Sequence, residues 1–237
     1  MMWYQTETPP ASAGHNNLSL EDFERAGVRV AERRFGARDL IFAPGDPDEQ
    51  LYFLLEGTVR LYKIYGDCRE ATVALLADGE VFGEPEFGGT ARQKDFAEAL
   101  VASRVAVVRK SNLTEALRHR PEFALKLFSA FSERLGRSEE TIESLLDREV
   151  STRLATLLSH LAERFGEPDG SGAALNLRLT HQDLANMVAS TREAVSKVMS
   201  EFRRGGLIEV QGRRISVSPR LAEVRLGNPP SVPGAAA

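Results

Sequence analysis

The segment from Leu179 to Arg204 constrains this 237-residue chain more than any other. Its apolar residues recur at helical spacing in two short runs, Leu184-Ala185-Val188 and Ala194-Val195-Val198-Phe202. Between them, Ala189-Ser190-Thr191 is too short for a loop and suits a tight turn that caps a new helix. Thr180, with Asp183 three positions on, gives the first helix a capping-box-like start. Small Ala185 lets two helices cross closely, and Val195 fills the angle between them. This is the pattern of a helix-turn-helix. The second helix then presents Arg192, Glu193, Ser196 and Lys197 near its N-terminal end, where a recognition helix meets base edges.

Charge supports that reading only locally. The net charge of −4 argues against generic affinity for nucleic acid. From Arg192 to Arg225, however, Arg192, Lys197, Arg203, Arg204, Arg213, Arg214, Arg220 and Arg225 outnumber Glu193, Glu201, Glu209 and Glu223. A basic C-terminal part on an acidic chain is the footprint of a DNA reader.

Upstream the period changes. Between Val28 and Lys110, short runs read as strands: Val28–Val30, Asp39–Phe42, Leu51–Leu55, Thr58–Tyr62, Thr72–Leu76, Phe96–Leu100 and Arg104–Val108. Turn signals at Pro44-Gly45-Asp46, Glu56-Gly57, Tyr65-Gly66-Asp67 and Ala77-Asp78-Gly79 separate them. Many short strands at even spacing predict an antiparallel roll. Ser19 caps a short helix ahead of them.

From Pro121 to Asp147 the period is helical. Phe128, Phe131, Leu135, Ser138, Ile142 and Leu145 alternate spacings of 3 and 4, a heptad seam suited to pairing with a second copy of the chain. A further amphipathic helix covers Arg148–Phe165. A turn-rich link follows at Gly166–Gly172, then a strand at Leu175–Leu179. After the helix-turn-helix, Leu207–Val210 and Arg214–Val217 flank Gln211-Gly212-Arg213 as a β-hairpin wing.

The expected fold class is α+β, with residues 1–17 a flexible tail and 18–117 a roll. Residues 118–147 are the dimerisation helix, 148–226 a winged helix-turn-helix and 227–237 a disordered tail. No apolar run approaches the length of a membrane span, and Met1–Asn17 lacks the pattern of a signal peptide, so a cytoplasmic location is expected. A single cysteine, Cys68, excludes internal disulfides and an intrachain cysteine cluster. A metal-dependent enzyme on such a roll would need histidines there, and residues 18–117 contain none. His15, His119, His160 and His181 lack paired ligand spacing. No catalytic or metal site is expected.

Roll, long helix and winged helix-turn-helix, in that order over residues 20–225, resemble the cyclic-AMP receptor protein (CRP/FNR) family of transcription regulators. The segments Phe42–Asp46, Leu51–Leu61 and Gly79–Glu84 are similar to the family's glycine-punctuated roll. Ser190–Lys197 resembles its recognition-helix motif of Arg-Glu followed four residues later by a base. The resemblance implies a homodimer on a palindromic operator with TGTGA-like half-sites, acting as an activator with RNA polymerase as partner.

The chemistry of the side chains stands beside it. Arg192 carries a planar fork matched to guanine O6 and N7, and Glu193 accepts from a cytosine amino group. Lys197 lies one turn beyond Glu193 on the same face, in reach of a base or phosphate. It replaces the family's usual Arg. Ser190 and Thr191 suit a phosphate, and Thr180, His181, Gln182 and Arg213 complete the expected DNA contacts.

The resemblance also implies an effector site, with cyclic AMP the candidate ligand and no other cofactor. Glu84 matches the family's ribose-binding carboxylate, beside Gly83. The Arg-Ser pair that holds the cyclic phosphate aligns with Lys94-Asp95, and Asp beside a phosphate is repulsive. Arg92 is the substitute cation. The adenine-contacting Thr-Ser pair aligns with Ser138-Glu139, so Ser138 alone keeps a hydroxyl. Three readings stay open: no ligand, a cyclic nucleotide, or a small anion such as a 2-oxo acid.

Overall fold

A computed structural model describes residues 18–225 apart from 48, 67, 84–91, 171 and 213. The expected tails, Glu84 and Arg213 lie outside the described residues. The architecture is α+β. A short helix α1 (Leu20–Arg25) opens the chain, its Ser19 N–H and hydroxyl both donating to Asp22 at 2.8 and 2.9 Å. Eight strands follow: β1 (Val30–Phe35), β2 (Leu40–Phe42), β3 (Gln50–Glu56) and β4 (Val59–Tyr65), then β5 (Arg69–Leu76), β6 (Val81–Phe82), β7 (Phe96–Ala99) and β8 (Ser103–Arg109). They form two antiparallel sheets, ordered β1-β8-β3-β6 and β2-β7-β4-β5.

The apolar runs of β3 and β8 are continuous because these strands are buried on both faces. Along β3, Tyr52 and Leu54 point into a cluster shared with Ile41, Leu61, Ala97 and Val105 of both sheets. Leu51 and Phe53 point the other way, onto Phe23, Leu113, Phe123 and Leu127 of the helical layer. Each such side chain contributes about 1.5–3 kcal/mol on burial. Gly57, at φ +115° between β3 and β4, is required there. A Cβ would sit 2.8 Å from the Ser103 backbone.

The helical layer continues with α2 (Lys110–His119) and α3 (Pro121–Leu145), then α4 (Val150–Phe165). Proline at the first position of α3 loses nothing, since its missing N–H would have no helical partner. The head then comprises β9 (Gly166–Asp169), β10 (Gly172–Leu175), α5 (His181–Met187), α6 (Arg192–Arg204), β11 (Ile208–Gln211), β12 (Arg214–Val217) and α7 (Leu221–Arg225). Its four strands form one sheet, β11-β12-β10-β9. Among the described residues, no helix is long and apolar enough to cross a membrane.

Four expectations need correction. Val28 precedes the first strand, because its N–H closes α1 onto Phe23 O at 2.9 Å. Leu100 leaves its strand for the head's apolar core. The link at Gly166–Gly172 is the β9–β10 hairpin. The strand expected at Leu175–Leu179 ends at Leu175, although Leu175, Leu177 and Leu179 are all buried in the head. The period of two there reflects an extended segment whose alternate side chains face the core, without a ladder partner. Helices α2 and α7 and strand β6 were not anticipated.

Candidate nucleic-acid interface

Helices α5 and α6 meet through small and branched side chains. Ala185, Leu184 and Val195 are wholly buried, and Val198, Met199 and Phe202 extend the same core. Ala189 at φ +48° makes the turn between them. Thr180 and Asp183 close a capping box at α5: the Thr180 N–H and hydroxyl both donate to Asp183 at 2.8 Å. Thr191 caps α6 by accepting from Ala194 N at 3.2 Å. The expected helix-turn-helix geometry is present, and so is the β11–β12 hairpin beyond it.

The expected DNA contacts divide into three groups. Arg192, Glu193 and Lys197 are exposed on α6, and among the described residues their side chains form no hydrogen bond or ion pair. Thr180 and Thr191 are engaged as caps. His181 and Ser196 are joined to each other, Nδ1 to Oγ, at 2.7 Å, and exposed Gln182 donates to Asn186 at 2.8 Å. Ser190 is half-buried, its N–H donating to Ala185 O. Thr180, Gln182, Ser190, Thr191, Arg192 and Glu193 line one wall of a cleft of about 1300 Å³ whose other wall is the roll.

Sequence reading missed what holds the head to the roll. Arg38, in the β1–β2 turn, donates to both carboxylate oxygens of Asp183 at 3.3 and 3.1 Å. Burial raises the Asp183 carboxyl, but the bonds from Arg38 and Thr180 outweigh it and hold the group below its ordinary value of 3.8. Asp183 is therefore ionised at neutral pH, where it caps α5 and pairs with Arg38. A second tie runs through Glu80, which binds Arg137 of α3 and, at 3.0 Å, Arg164 of α4. These partners lie far apart in sequence and follow no local pattern.

The long helix has two different faces. Phe123, Leu127 and Ala130 are buried against the roll. Phe128, Leu135, Ile142 and Leu145 of the expected seam are exposed, with Phe128 at 71% and Leu135 at 62%. Leu125 and Leu146, which the sequence reading omitted, extend the same stripe. Phe131 is half-buried against the helical layer, and Ser138 donates to Arg134 O of its own helix at 3.0 Å.

Arg92 and Lys94 are exposed, Arg92 donating to Gly45 O at 2.5 Å, while Asp95 pairs with Lys63. Gly83, at φ +66°, must be glycine, since a Cβ would lie 2.5 Å from the Tyr52 ring. Arg134 of α3, another residue missed in the sequence, reaches Val81 O at 3.4 Å, beside Gly83.

Comparison with known proteins matches both halves. Residues 32–120 fit the model of the cyclic nucleotide-binding domain, and residues 152–222 that of the Crp-like helix-turn-helix domain. A global nitrogen regulator of Synechocystis sp. is 34% identical over 77% of this chain and 82% of its own length. A CRP-like cAMP-activated global transcriptional regulator of Mycobacterium tuberculosis is 27% identical over 75% of this chain and 80% of its own. A solved CRP/FNR-family transcriptional regulator from Thermus thermophilus superposes with a TM-score of 0.70 at 28% identity, covering 83% of this chain and 98% of that one.

Proposed function

The chain belongs to the CRP/FNR family of DNA-binding transcription regulators, which are not enzymes, and from that premise we propose that it is a ligand-independent homodimeric activator. In this reading residues 118–147 pair two copies, and residues 148–226 of each read one half of a palindromic, TGTGA-like operator. Arg192 takes a guanine, Glu193 a cytosine amino group, and Lys197 a neighbouring base or phosphate. His181, Gln182, Ser190, Thr191 and Arg213 hold the backbone. RNA polymerase is the partner at the promoter, in the cytoplasm.

The observation that carries the proposal is the free state of Arg192, Glu193 and Lys197 on a capped helix, in a chain whose long helix leaves Phe128, Leu135 and Ile142 uncovered. One module reads too few bases for specificity, and a two-fold pair doubles the contacts. Independence from ligand rests on Lys94 and Asp95, which replace the phosphate-holding Arg-Ser pair, and on the exposure of Arg92. The Mycobacterium relative is cAMP-activated and supplies the competing reading.

Calorimetry on nucleotide-free protein, paired with anisotropy on a TGTGA palindrome, separates the two readings. Operator binding in the range of about 10⁻⁸ M, with no heat on adding micromolar cyclic AMP, is expected. Binding that begins only after nucleotide is added would overturn the ligand-free reading.

A further inference from the structure

The roll grips α5 at two side chains one helical turn apart, and the two grips are the ends of a closed ring. Asp183 accepts from Arg38, and Arg38 also donates to Glu98 at 3.3 Å. Glu98 accepts from Arg60 at 3.1 and 2.8 Å, and Arg60 pairs with Glu70 at 2.9 Å. Glu70 accepts from Asn186 at 3.2 Å, which returns the path to α5. Strand alternation sends Val59 and Leu61 into the core and leaves Arg60 on the outer face of its sheet. That face is covered by the head, so Arg60 is only 3% exposed and Glu98 9%. Burying such charges is costly unless geometry and partners are good. The Nε and Nη2 of Arg60 face two carboxylates and its guanidinium lies over the Tyr62 ring, 4.1 Å from the centroid, while Nη1 is buried without a hydrogen-bond partner among the described residues.

Arg38 carries a second signature. Its φ of +73° lies in the left-handed region, where a non-glycine residue costs of the order of 1 kcal/mol or more. Glycine would fit that turn better. An arginine there is accounted for by the reach of its side chain to Asp183. With the ring closed, Arg192, Glu193 and Lys197 remain exposed to solvent, and Arg192 and Glu193 line the same cleft as the ring residues. Helix α5 in turn fixes α6 through Ala185 and Val195. The tilt of the reading helix relative to the roll therefore follows the ring.

We propose that the ring Asp183–Arg38–Glu98–Arg60–Glu70–Asn186 holds the head in its DNA-reading orientation, with Arg38 as a positioning residue for operator recognition. The inference rests on the DNA-reading role assigned above. In a two-fold dimer each head must enter its half-site at a fixed angle, so loosening one grip misplaces both reading helices. The Glu80 tie to Arg137 and Arg164 keeps a released head attached but tilted.

Arg38→Gly deletes the guanidinium and leaves buried Asp183 without that partner, a cost that the relieved backbone offsets in part, so its melting temperature should fall modestly while the chain stays folded. Its operator affinity should fall roughly tenfold, with affinity for unrelated duplex and the dimer's mass unchanged. Arg38→Lys, which keeps a charge without the fork, should recover part of the loss. Asn186→Ala opens the other arm and should also weaken operator binding, and the double variant with Arg38→Gly should lose less than the sum of the two single losses, because both act on one ring. Hydrogen exchange needs no DNA: residues 181–187 should exchange several-fold faster in Arg38→Gly. Equal or tighter operator binding by Arg38→Gly would overturn the proposal, as would unchanged exchange across α5. If the parent chain binds no operator at all, the DNA-reading role fails, and the exchange result still decides whether the ring holds the head.

Discussion

Arg192→Ala is expected to lower operator affinity by about 2–6 kcal/mol, from about 1–3 kcal/mol at each of two half-sites. At 1.4 kcal/mol per decade, that is a loss of roughly 30-fold to twenty-thousandfold. The loss should be confined to sequence reading. Arg192 is exposed, and among the described residues its side chain has no hydrogen-bond or ion-pair partner, so thermal stability should not change. The cap at Thr191 and the buried Val195 stay in place, so α6 keeps its shape. Affinity for unrelated duplex should drop only by one phosphate-range charge, and the variant should tolerate substitution of the guanine that the parent chain requires. Arg192→Lys should recover little, because an ammonium lacks the two parallel donors that match guanine. A panel of single-base operator variants, measured by anisotropy at one salt concentration, checks this. A variant that keeps the parent chain's order of preference across the panel would remove Arg192 from the reading.

Leu135→Asp should abolish the dimer. Leu135 lies at the middle of the exposed stripe, seven residues from Phe128 and seven from Ile142, and contributes nothing to the core of its own chain. In the pair, each leucine brings about 1.5–3 kcal/mol of burial, which the variant forfeits twice. It also places two carboxylates close together in an apolar seam, a further cost of several kcal/mol. Sedimentation at micromolar concentration should find monomers with an unchanged far-ultraviolet spectrum. Operator affinity should fall with the dimer, because one head reads only one half-site. Leu125→Asp, near the start of the stripe, should weaken the pair less. A Leu135→Asp chain that sediments as a dimer would place the interface elsewhere.

The parts of this protein that local chemistry dictates were legible in the sequence. Thr180 with Asp183, small Ala185 and branched Val195 specify a helix-turn-helix whatever surrounds them. Runs such as Leu51–Leu55 specify strands covered on both faces. Phe128, Leu135 and Ile142 set the phase of the exposed stripe in the sequence, but Leu125 and Leu146 do not stand out there, because the positions of the same heptad phase between them, Ser132 and Glu139, are polar. Helix α2 starts after a strand without a side-chain cap, so Lys110 gave no boundary signal. The β9–β10 hairpin is rich in Gly and Pro, and reads as a link until β12 supplies its partner. The ring through Arg38 joins residues 145 positions apart, and no window of sequence contains it. Arg60 is the sharpest case: a charged residue in a strand reads as solvent-facing, yet the head covers it.

The reading of this chain as one half of a two-fold DNA reader meets its most direct test in a selection from randomised duplexes, using purified dimer with no nucleotide added. The enriched sequences should be palindromic, with one guanine in each half-site whose enrichment disappears in the Arg192→Ala chain. The half-sites should lie about one helical turn apart, roughly 10–10.5 base pairs from centre to centre. Enrichment of a single unrepeated site, or of no sequence at all, would contradict the account.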